Sequence, residues 1–535
     1  MSGGFRSRAR GAGNQQSSGE KPSGRLKRSG ERASEGNASR GQRPQRRSEA
    51  SRDDRRGSRE TRGRDDRNQS RGQRGGKRSE RKPGYRPYRG VDVARSVVFD
   101  VLCQVERDGA YANLVLPGAL RDAGLSGRDA AFATELCYGT LRQQGSLDRM
   151  LDVVSSRPVE TLAVEVLVAL RLGLYQMLFT RVDDYACVDA SVNLVKGSGQ
   201  DRAAGFTNGI LRSCSRAGES LRVKARPSGE LAGIAFDHAH PEWIAASFAR
   251  VLGMVDLPDA LEGDSVRPVV HLAARPGEMS AEELAAMTGG EIGEFSPYAV
   301  ILPGGDPGDV EAVAQKMAHV QDEGSQLIGR ALVEAPVEGT DSGRWVDLCA
   351  GPGGKSALIG ALAAVDGAHV DAVELQKHRA QLVEKACAGL PVTVRVADGR
   401  DSGIEPGVDR VLVDAPCSGL GALRRRPEAR WRKQEADIAE LVVLQEQLLR
   451  SGIALARPGG VVVYSTCSPD LRETREVVEK VLASGSVEEL NAHDFACGAQ
   501  DLGDYPSVQL WPHRHGTDAM FFSVLRVVDP NKAQA

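Results

Sequence analysis

The spacing of apolar positions changes character along the chain. From Val91 onward, Ala94, Val97, Val98, Val101, Leu102 and Val105 recur at helical intervals, as do Leu162, Val166, Leu170, Leu174 and Leu178. Such a stripe buries one face of an amphipathic helix. No strand-like alternation intervenes before about residue 215, so residues 90–217 are expected to form an all-α bundle. Residues 220–318 are mixed. HPEWIAASFARVLG (240–253) and SAEELAAM (280–287) suit helices, the second with Ser280 as N-cap, and RPVVHLAAR (267–275) suits a strand. A small α+β subdomain is expected there. Over 319–530, β-branched runs alternate with helical stretches: WVDLCA (345–350), HVDAVEL (369–375), VTVRVAD (392–398), DRVLVDAP (409–416), GVVVYST (460–466) and MFFSVLR (520–526). That alternation predicts a doubly wound, mainly parallel α/β sheet.

Residues 1–88 fit none of these patterns. They are Arg, Gly, Ser, Gln and Glu with almost no large apolar side chain, and are expected to be disordered because little burial opposes the ordering entropy. The formal net charge of −2 conceals an asymmetry: residues 1–90 hold 27 basic and 10 acidic side chains (+17), leaving 43 and 62 (−19) in the remainder. A basic arm on an acidic body points to a polyanionic partner such as RNA, with a solubilising tail as the alternative.

Other classes are disfavoured. The nine cysteines, from Cys103 to Cys497, include no CxxC pair, and His238-x-His240 and His513-x-His515 lie near no ligand-like cluster. Neither a disulfide framework nor a metal site is expected. No apolar run approaches the ~18 residues of a membrane span, and MSGGFRSRAR lacks a signal-peptide core, so a cytoplasmic protein is expected.

Candidate chemistry sits at the strand ends. DLCAGPGGKS (347–356) joins the first strand of the third block to a helix through a glycine-rich turn, formed by Cys349, Ala350, Gly351, Pro352, Gly353, Gly354 and Lys355. Glycines allow close backbone approach to a ligand, and the helix start offers unpaired N–H donors. A Walker A loop ending at Lys355-Ser356 would need glycine at Cys349, and a GxGxxG from Gly351 would need glycine at Ser356. Three acids follow at later strand ends: Glu374, Asp398 and Asp414. Glu374 comes 23 residues after Gly351, where a carboxylate accepts from a ribose diol, and Asp398 would then face an adenine amino group. A ligand with ribose and adenine but no phosphate is S-adenosylmethionine. Two further loops each carry a thiol: Cys417 in VDAPCSGLGALRRRPEARW (413–431) and Cys467 in VVVYSTCSPD (461–470). Position alone does not say which would attack.

DLCAGPGGKS, VDAPCSG, RRRPEARW and YSTCS, with VQDEGSQL (320–327) ahead of them, together resemble the Sun-type RNA (cytosine-5) methyltransferases. ELCYGTLR (135–142), LRLGLYQMLF (170–179) and FTNGILR (206–212) resemble the helical NusB-type RNA-binding domain. The combination is similar to the bacterial 16S ribosomal RNA enzymes of that family. The resemblance implies a Rossmann-like methyltransferase domain over 319–530, S-adenosylmethionine as cofactor and RNA as substrate. It also explains the need for a cysteine. Carbon 5 of cytosine is a poor nucleophile until a thiolate adds at carbon 6, and covalent catalysis divides one difficult step into easier ones. At an ordinary pKa of ~8.5 only ~3% of a thiol is ionised at pH 7, so the site must favour the thiolate. By resemblance Cys467 is the nucleophile and Cys417 assists product release. Asp414 would hydrogen-bond the base with Lys355 beside it, a structural ion pair being the alternative for Lys355. Arg424, Arg425, Arg426, Arg430 and Arg432, with Trp431, are expected to grip phosphate and stack on unpaired bases. Three motifs depart from the family pattern: His271-Leu272-Ala273 replaces Arg-x-Asn, Glu473-Thr474-Arg475 replaces Glu-Asn-Glu, and Asp518-Ala519-Met520 replaces Asp-Gly-Phe. Two rival readings are the same chemistry on transfer RNA and a non-catalytic RNA-binding assembly factor.

Overall fold

Asp92 opens the first helix, Val93–Asp108, by accepting the Arg95 N–H on its side chain, and Gly109 closes it in the left-handed region at φ 69°. The structure, a computed structural model, describes residues 85–529. The expected disordered tail therefore lies, up to residue 84, outside the described residues. Helices Ala112–Asp122, Gly127–Val154, Val164–Phe179, Asp184–Gly197 and Ala204–Ala217 complete a bundle around Val97, Leu136, Leu170 and Leu211. Val164–Phe179 is buried nearly all round, which makes it the central helix. Its one buried cation, Arg171, is matched by Asp148 at 2.7 Å and Glu106 at 2.9 Å.

Two sheets follow. The smaller contains β1 (Val270–Ala274), β2 (Glu291–Ile292), β3 (Ala299–Leu302) and β4 (Ala318–Val320) in the order β2-β3-β1-β4, all antiparallel. The helix Ala281–Thr288 packs on it, with Ser280 and Glu283 forming a reciprocal cap at its start. The helix Glu242–Gly263, expected in the same subdomain, packs elsewhere. Its Phe248 meets Trp511 edge-on at 5.4 Å, beside Leu420 and Leu423.

The larger sheet comprises β5 (Arg344–Asp347), β6 (His369–Glu374), β7 (Val392–Val396), β8 (Val408–Asp414), β9 (Ala456–Thr466), β10 (Val487–Leu490), β11 (Val508–Gln509) and β12 (Phe521–Val527). Its order is β10-β12-β9-β8-β5-β6-β7, with β11 paired to β12. Strands β5 to β9 are parallel, whereas β12 runs antiparallel to β9 and to β10. All six expected strands are present, and β10 and β11 are additional. The glycine-rich turn, Glu374, Asp414, Cys417 and Cys467 all follow carboxyl ends of parallel strands, the edge where open α/β sheets bind ligands. Among the described residues no helix is long and apolar enough to cross a membrane.

Candidate active site

The glycine-rich turn is anchored to the strand beside it. Ala350 N–H donates to the Val373 carbonyl at 2.9 Å, and Gly351 N–H donates to Glu374 Oε2 at 3.1 Å. A Cβ on Gly351 would fall 2.2 Å from that same oxygen, so only glycine allows the approach. Glu374 Oε1 accepts the Gln376 N–H at 2.9 Å, and Arg379 bonds the Gly351 carbonyl at 2.7 Å. Pro352 is exposed, Gly353 adopts φ 112°, and Gly354 starts the helix Gly354–Asp366. Under the turn, Asp347 accepts the Ser356 hydroxyl at 2.6 Å, and burial pushes its carboxyl up to about 6. Cys349 lies beside it, its thiol raised well above the ordinary range by burial. Asp398 is partly exposed at the start of the loop after β7. It is gripped by Arg400, whose N–H groups hold its carboxyl below the usual value.

The two thiols meet. Cys417 Sγ and Cys467 Sγ stand 3.4 Å apart, although 50 residues separate them. Their loops are joined by Gly421 N–H donating to the Cys467 carbonyl at 2.9 Å. Ala519 N–H in turn donates to the Gly421 carbonyl, and a Cβ on Gly421 would lie 2.0 Å from the Ala519 oxygen. Lys355 Nζ reaches Asp414 Oδ2 at 2.9 Å, and the Ser465 hydroxyl donates to Asp414 Oδ1 at 2.8 Å. The geometry therefore gathers Lys355, Asp414, Cys417 and Cys467 at one point.

The electrostatics distinguish the sulfurs. The hydrogen bond with Cys417, aided by the Lys355 charge, holds Cys467 below the ordinary thiol value despite burial and the carboxylates of Asp414 and Asp518. Cys417 moves the opposite way, through its hydrogen bond to Cys467, burial, and the nearby Glu473 charge. The two shifts run in opposite directions, favouring ionisation at Cys467 over Cys417.

The arginine-rich segment requires correction. Arg430 is fully buried, bonding Asp264 Oδ2, the Asp264 carbonyl and the Ala239 carbonyl, each at 2.9 Å. Arg424 is 5% exposed and occupied by Asp518 at 2.8 Å and the Gly516 carbonyl at 2.9 Å. Trp431 inserts against Gly145 of the helix Gly127–Val154, where a Cβ would lie 2.2 Å from the indole, and its Nε1–H donates to the Leu141 carbonyl at 2.8 Å. Arg432 closes the end of Val93–Asp108 by donating to the carbonyls of Val105, Gly109 and Ala110. Arg424 and Arg430 are thus buried and not available to RNA, Trp431 is seated against the helical domain, and Arg432 is tied to that domain while staying exposed. Desolvated guanidinium groups need acceptors, and the fold supplies them from distant sequence. Arg425 is partly exposed and pairs with Asp322 and Asp518 at 2.8 and 2.7 Å. Arg426 stays exposed, its guanidinium 5.5 Å from the Tyr111 ring centre.

Sequence reasoning missed several groups around the thiols. Glu473 entered only as part of a divergent motif, yet it is fully buried and bonded to Ser418 and Ser468, the residues after the two cysteines. The repeated Cys-Ser dipeptide was the available signal. His271, at the position of the family's arginine, is buried with Nδ1 3.6 Å from Asp322 and Nε2 3.9 Å from Glu323. The nine cysteines are all free, and no group of three or more His, Cys, Asp or Glu among the described residues is arranged to hold a metal.

Comparison with known proteins agrees with this architecture. Residues 331–526 match the family model described as 16S rRNA methyltransferase RsmB/F, and residues 92–216 match the NusB family. A Mycobacterium tuberculosis protein, Rv1407, named as a candidate methyltransferase, is 51% identical over 453 residues, covering 83% of this chain and 98% of that one. The ribosomal RNA small subunit methyltransferase B of Salmonella paratyphi B is 30% identical over 445 residues, covering 81% and 98%. The crystal structure of PH0851 superposes with a TM-score of 0.69 over 81% of this chain and 98% of that one, a likeness of fold at 21% identity. With a NusB domain ahead of a methyltransferase domain and relatives matched along nearly their whole length, the chain belongs to the RsmB/F family of RNA cytosine methyltransferases.

Proposed function

We propose that the protein methylates carbon 5 of a cytosine in 16S ribosomal RNA, using S-adenosylmethionine, with Cys467 as the nucleophile. The observation that carries the chemistry is the thiol pair: two sulfurs 3.4 Å apart beside the Lys355–Asp414 ion pair. The target is supported by the small-subunit ribosomal RNA methyltransferases to which the chain is similar along its length.

The turn from Cys349 to Lys355, with Glu374, Asp398 and Asp414, would hold the cofactor. The fit rests on a carboxylate reached by a glycine N–H where any side chain would collide, which suits a neutral ribose diol better than a phosphate. Bound there, S-adenosylmethionine would supply an electrophilic methyl group.

The chain's own residues do the rest. Cys467 adds through sulfur to carbon 6, and the electron pair of the 5,6 double bond shifts into the ring, so that carbon 5 becomes an enamine carbon able to attack an electrophile. Asp414, held by Lys355 and Ser465, orients the base by hydrogen bonding. Once a base takes the proton from carbon 5, those electrons re-form the double bond and expel the Cys467 thiolate. The Cys417 thiol, in hydrogen-bond contact with that sulfur, stabilises it as it departs. The target base reaches the pocket unstacked, which favours a loop or opened helix in the RNA. The helical region over 90–217 docks RNA, and Arg426 and Arg425 contact it beside the catalytic loop.

Bisulfite sequencing of total RNA from a deletion strain tests the reading. Loss of one 16S cytosine mark, restored by the wild-type gene and not by Cys467→Ala, is expected. Loss of a transfer RNA mark would move the substrate, and no lost mark would leave an RNA-binding assembly factor.

A further inference from the structure

Glu473 is a fully buried carboxylate whose bonded partners are all uncharged. Oε1 accepts the Ser418 N–H at 2.7 Å and the Gln445 amide at 3.0 Å. Oε2 accepts the Ser468 hydroxyl at 2.7 Å and the Ser418 hydroxyl. Gln445 also donates to the Pro416 carbonyl at 2.9 Å, and the Tyr464 hydroxyl donates to the Glu473 carbonyl at 2.7 Å. One carboxylate thus grips the residue following each cysteine and, through Gln445, the residue preceding Cys417. Burying an ionised carboxylate without a cation is costly unless every lone pair is used. A carboxylate is the side chain with acceptor sites for four donors and no donor of its own.

Resting on the cytosine methyltransferase reading above, we propose that Glu473 is the positioning residue that locks the two cysteine loops together and makes Cys417 the hydrogen-bond donor to the Cys467 sulfur. The charges around each sulfur agree with that direction. Cys417 faces Cys467, Glu473 and the Tyr464 hydroxyl, whereas Cys467 faces Cys417, Lys355, Asp414 and Asp518. The Glu473 charge disfavours ionisation of Cys417, and the Lys355 ammonium favours it at Cys467 against the opposing Asp414 and Asp518 carboxylates, so removing the Glu473 charge would ease ionisation of Cys417. Glutamine in place of Glu473 would keep the shape but turn an N–H₂ towards donors, removing both the clamp and the charge.

The test compares full-length wild type, Glu473→Gln, Glu473→Asp and Ser468→Ala, with folding checked by thermal melts and cofactor binding by calorimetry. Iodoacetamide alkylation without RNA, mapped by peptide mass spectrometry from pH 6 to 9, reports each thiol separately. Wild type should alkylate Cys467 first. Glu473→Gln should lower that preference by about 10-fold or more, the effect of one unit in relative pKa, and move the Cys417 profile to lower pH. Its kcat should fall with cofactor affinity unchanged, and Glu473→Asp, which keeps the charge, should retain part of the preference. A folded Glu473→Gln with wild-type thiol preference and turnover would overturn the proposal. Should that variant not fold, Ser468→Ala decides: an unchanged preference overturns it and a reduced one supports it. Wild-type methylation is measured alongside. Failure there with a Glu473-dependent thiol preference would remove the functional reading and leave the clamp standing.

Discussion

The segments Cys417–Gly421 and Arg424–Arg432 are neighbours in sequence, and both look functional when read as residue types. They behave oppositely. The first brings its thiol to a second thiol across 50 residues and stays partly accessible. In the second, Arg424, Arg430 and Trp431 turn inward to Asp518, Asp264 and Leu141, and Arg432, though exposed, is tied to the end of a helix. A cluster of cations beside an active site is therefore no guide to substrate contact until its acceptors are known. The carboxylates that neutralise Arg424 and Arg430 come from elsewhere in the chain, and a guanidinium buried against them is out of reach of phosphate.

Substitutions can sharpen this contrast, from large effects to small. Cys467→Ala should lower methylation at least about 1000-fold, equivalent to roughly 4 kcal/mol, and remove the protein–RNA adduct on denaturing gels. Cys417→Ser should leave the adduct formed and accumulating, and the reverse pattern would exchange the roles of the two thiols. Arg430→Ala should destabilise the fold by about 3–5 kcal/mol in urea titrations, because the buried Asp264 would lose the arginine that balances its charge. If stability is unchanged, the inward reading of this segment fails.

His240, against Asp264, gives the same region a pH signature. Burial and the Arg430 charge lower its pKa to about 4, outweighing the Asp264 hydrogen bond. The unfolded chain takes up this proton near pH 6.5 and the folded chain only near 4, so stability is lost as pH falls through that interval, by up to about 3 kcal/mol. Unfolding curves for wild type and His240→Gln should diverge at pH 7 and converge towards pH 4. Arg432→Ala should cost about 1 kcal/mol through its lost helix-end hydrogen bonds. Arg426→Ala should change stability by less than about 0.5 kcal/mol, yet reduce the salt slope of RNA binding by about one. An unaltered slope would remove Arg426 from the RNA contact.

Much of this architecture could be read in advance. Hydrophobic period separated bundle from sheet, because the helices and five of the six expected strands bury faces that their sequences mark plainly, the edge strand β7 being only partly covered. Strands β10 and β11 escaped notice: Val487–Leu490 is half acidic and Val508–Gln509 is two residues long, so neither carries a period. At the site, the glycine turn, the acids and the thiols are local motifs, legible because each needs only its own few residues. The inward arginines and the Glu473 clamp depend on pairings between distant segments. Asp264 lies 166 residues from Arg430 and Glu473 lies 55 from Ser418, separations that no local pattern records.

The seat of Trp431 against Gly145 has an architectural consequence. The indole belongs to the catalytic half and the notch to the helical half, so neither half is a detachable module. Cutting the chain near residue 217 would strand a large aromatic in water and leave the Arg432 cap with nothing to close. Graft or truncation experiments should therefore carry the notch with the indole, and inheritance of these two parts should be joint.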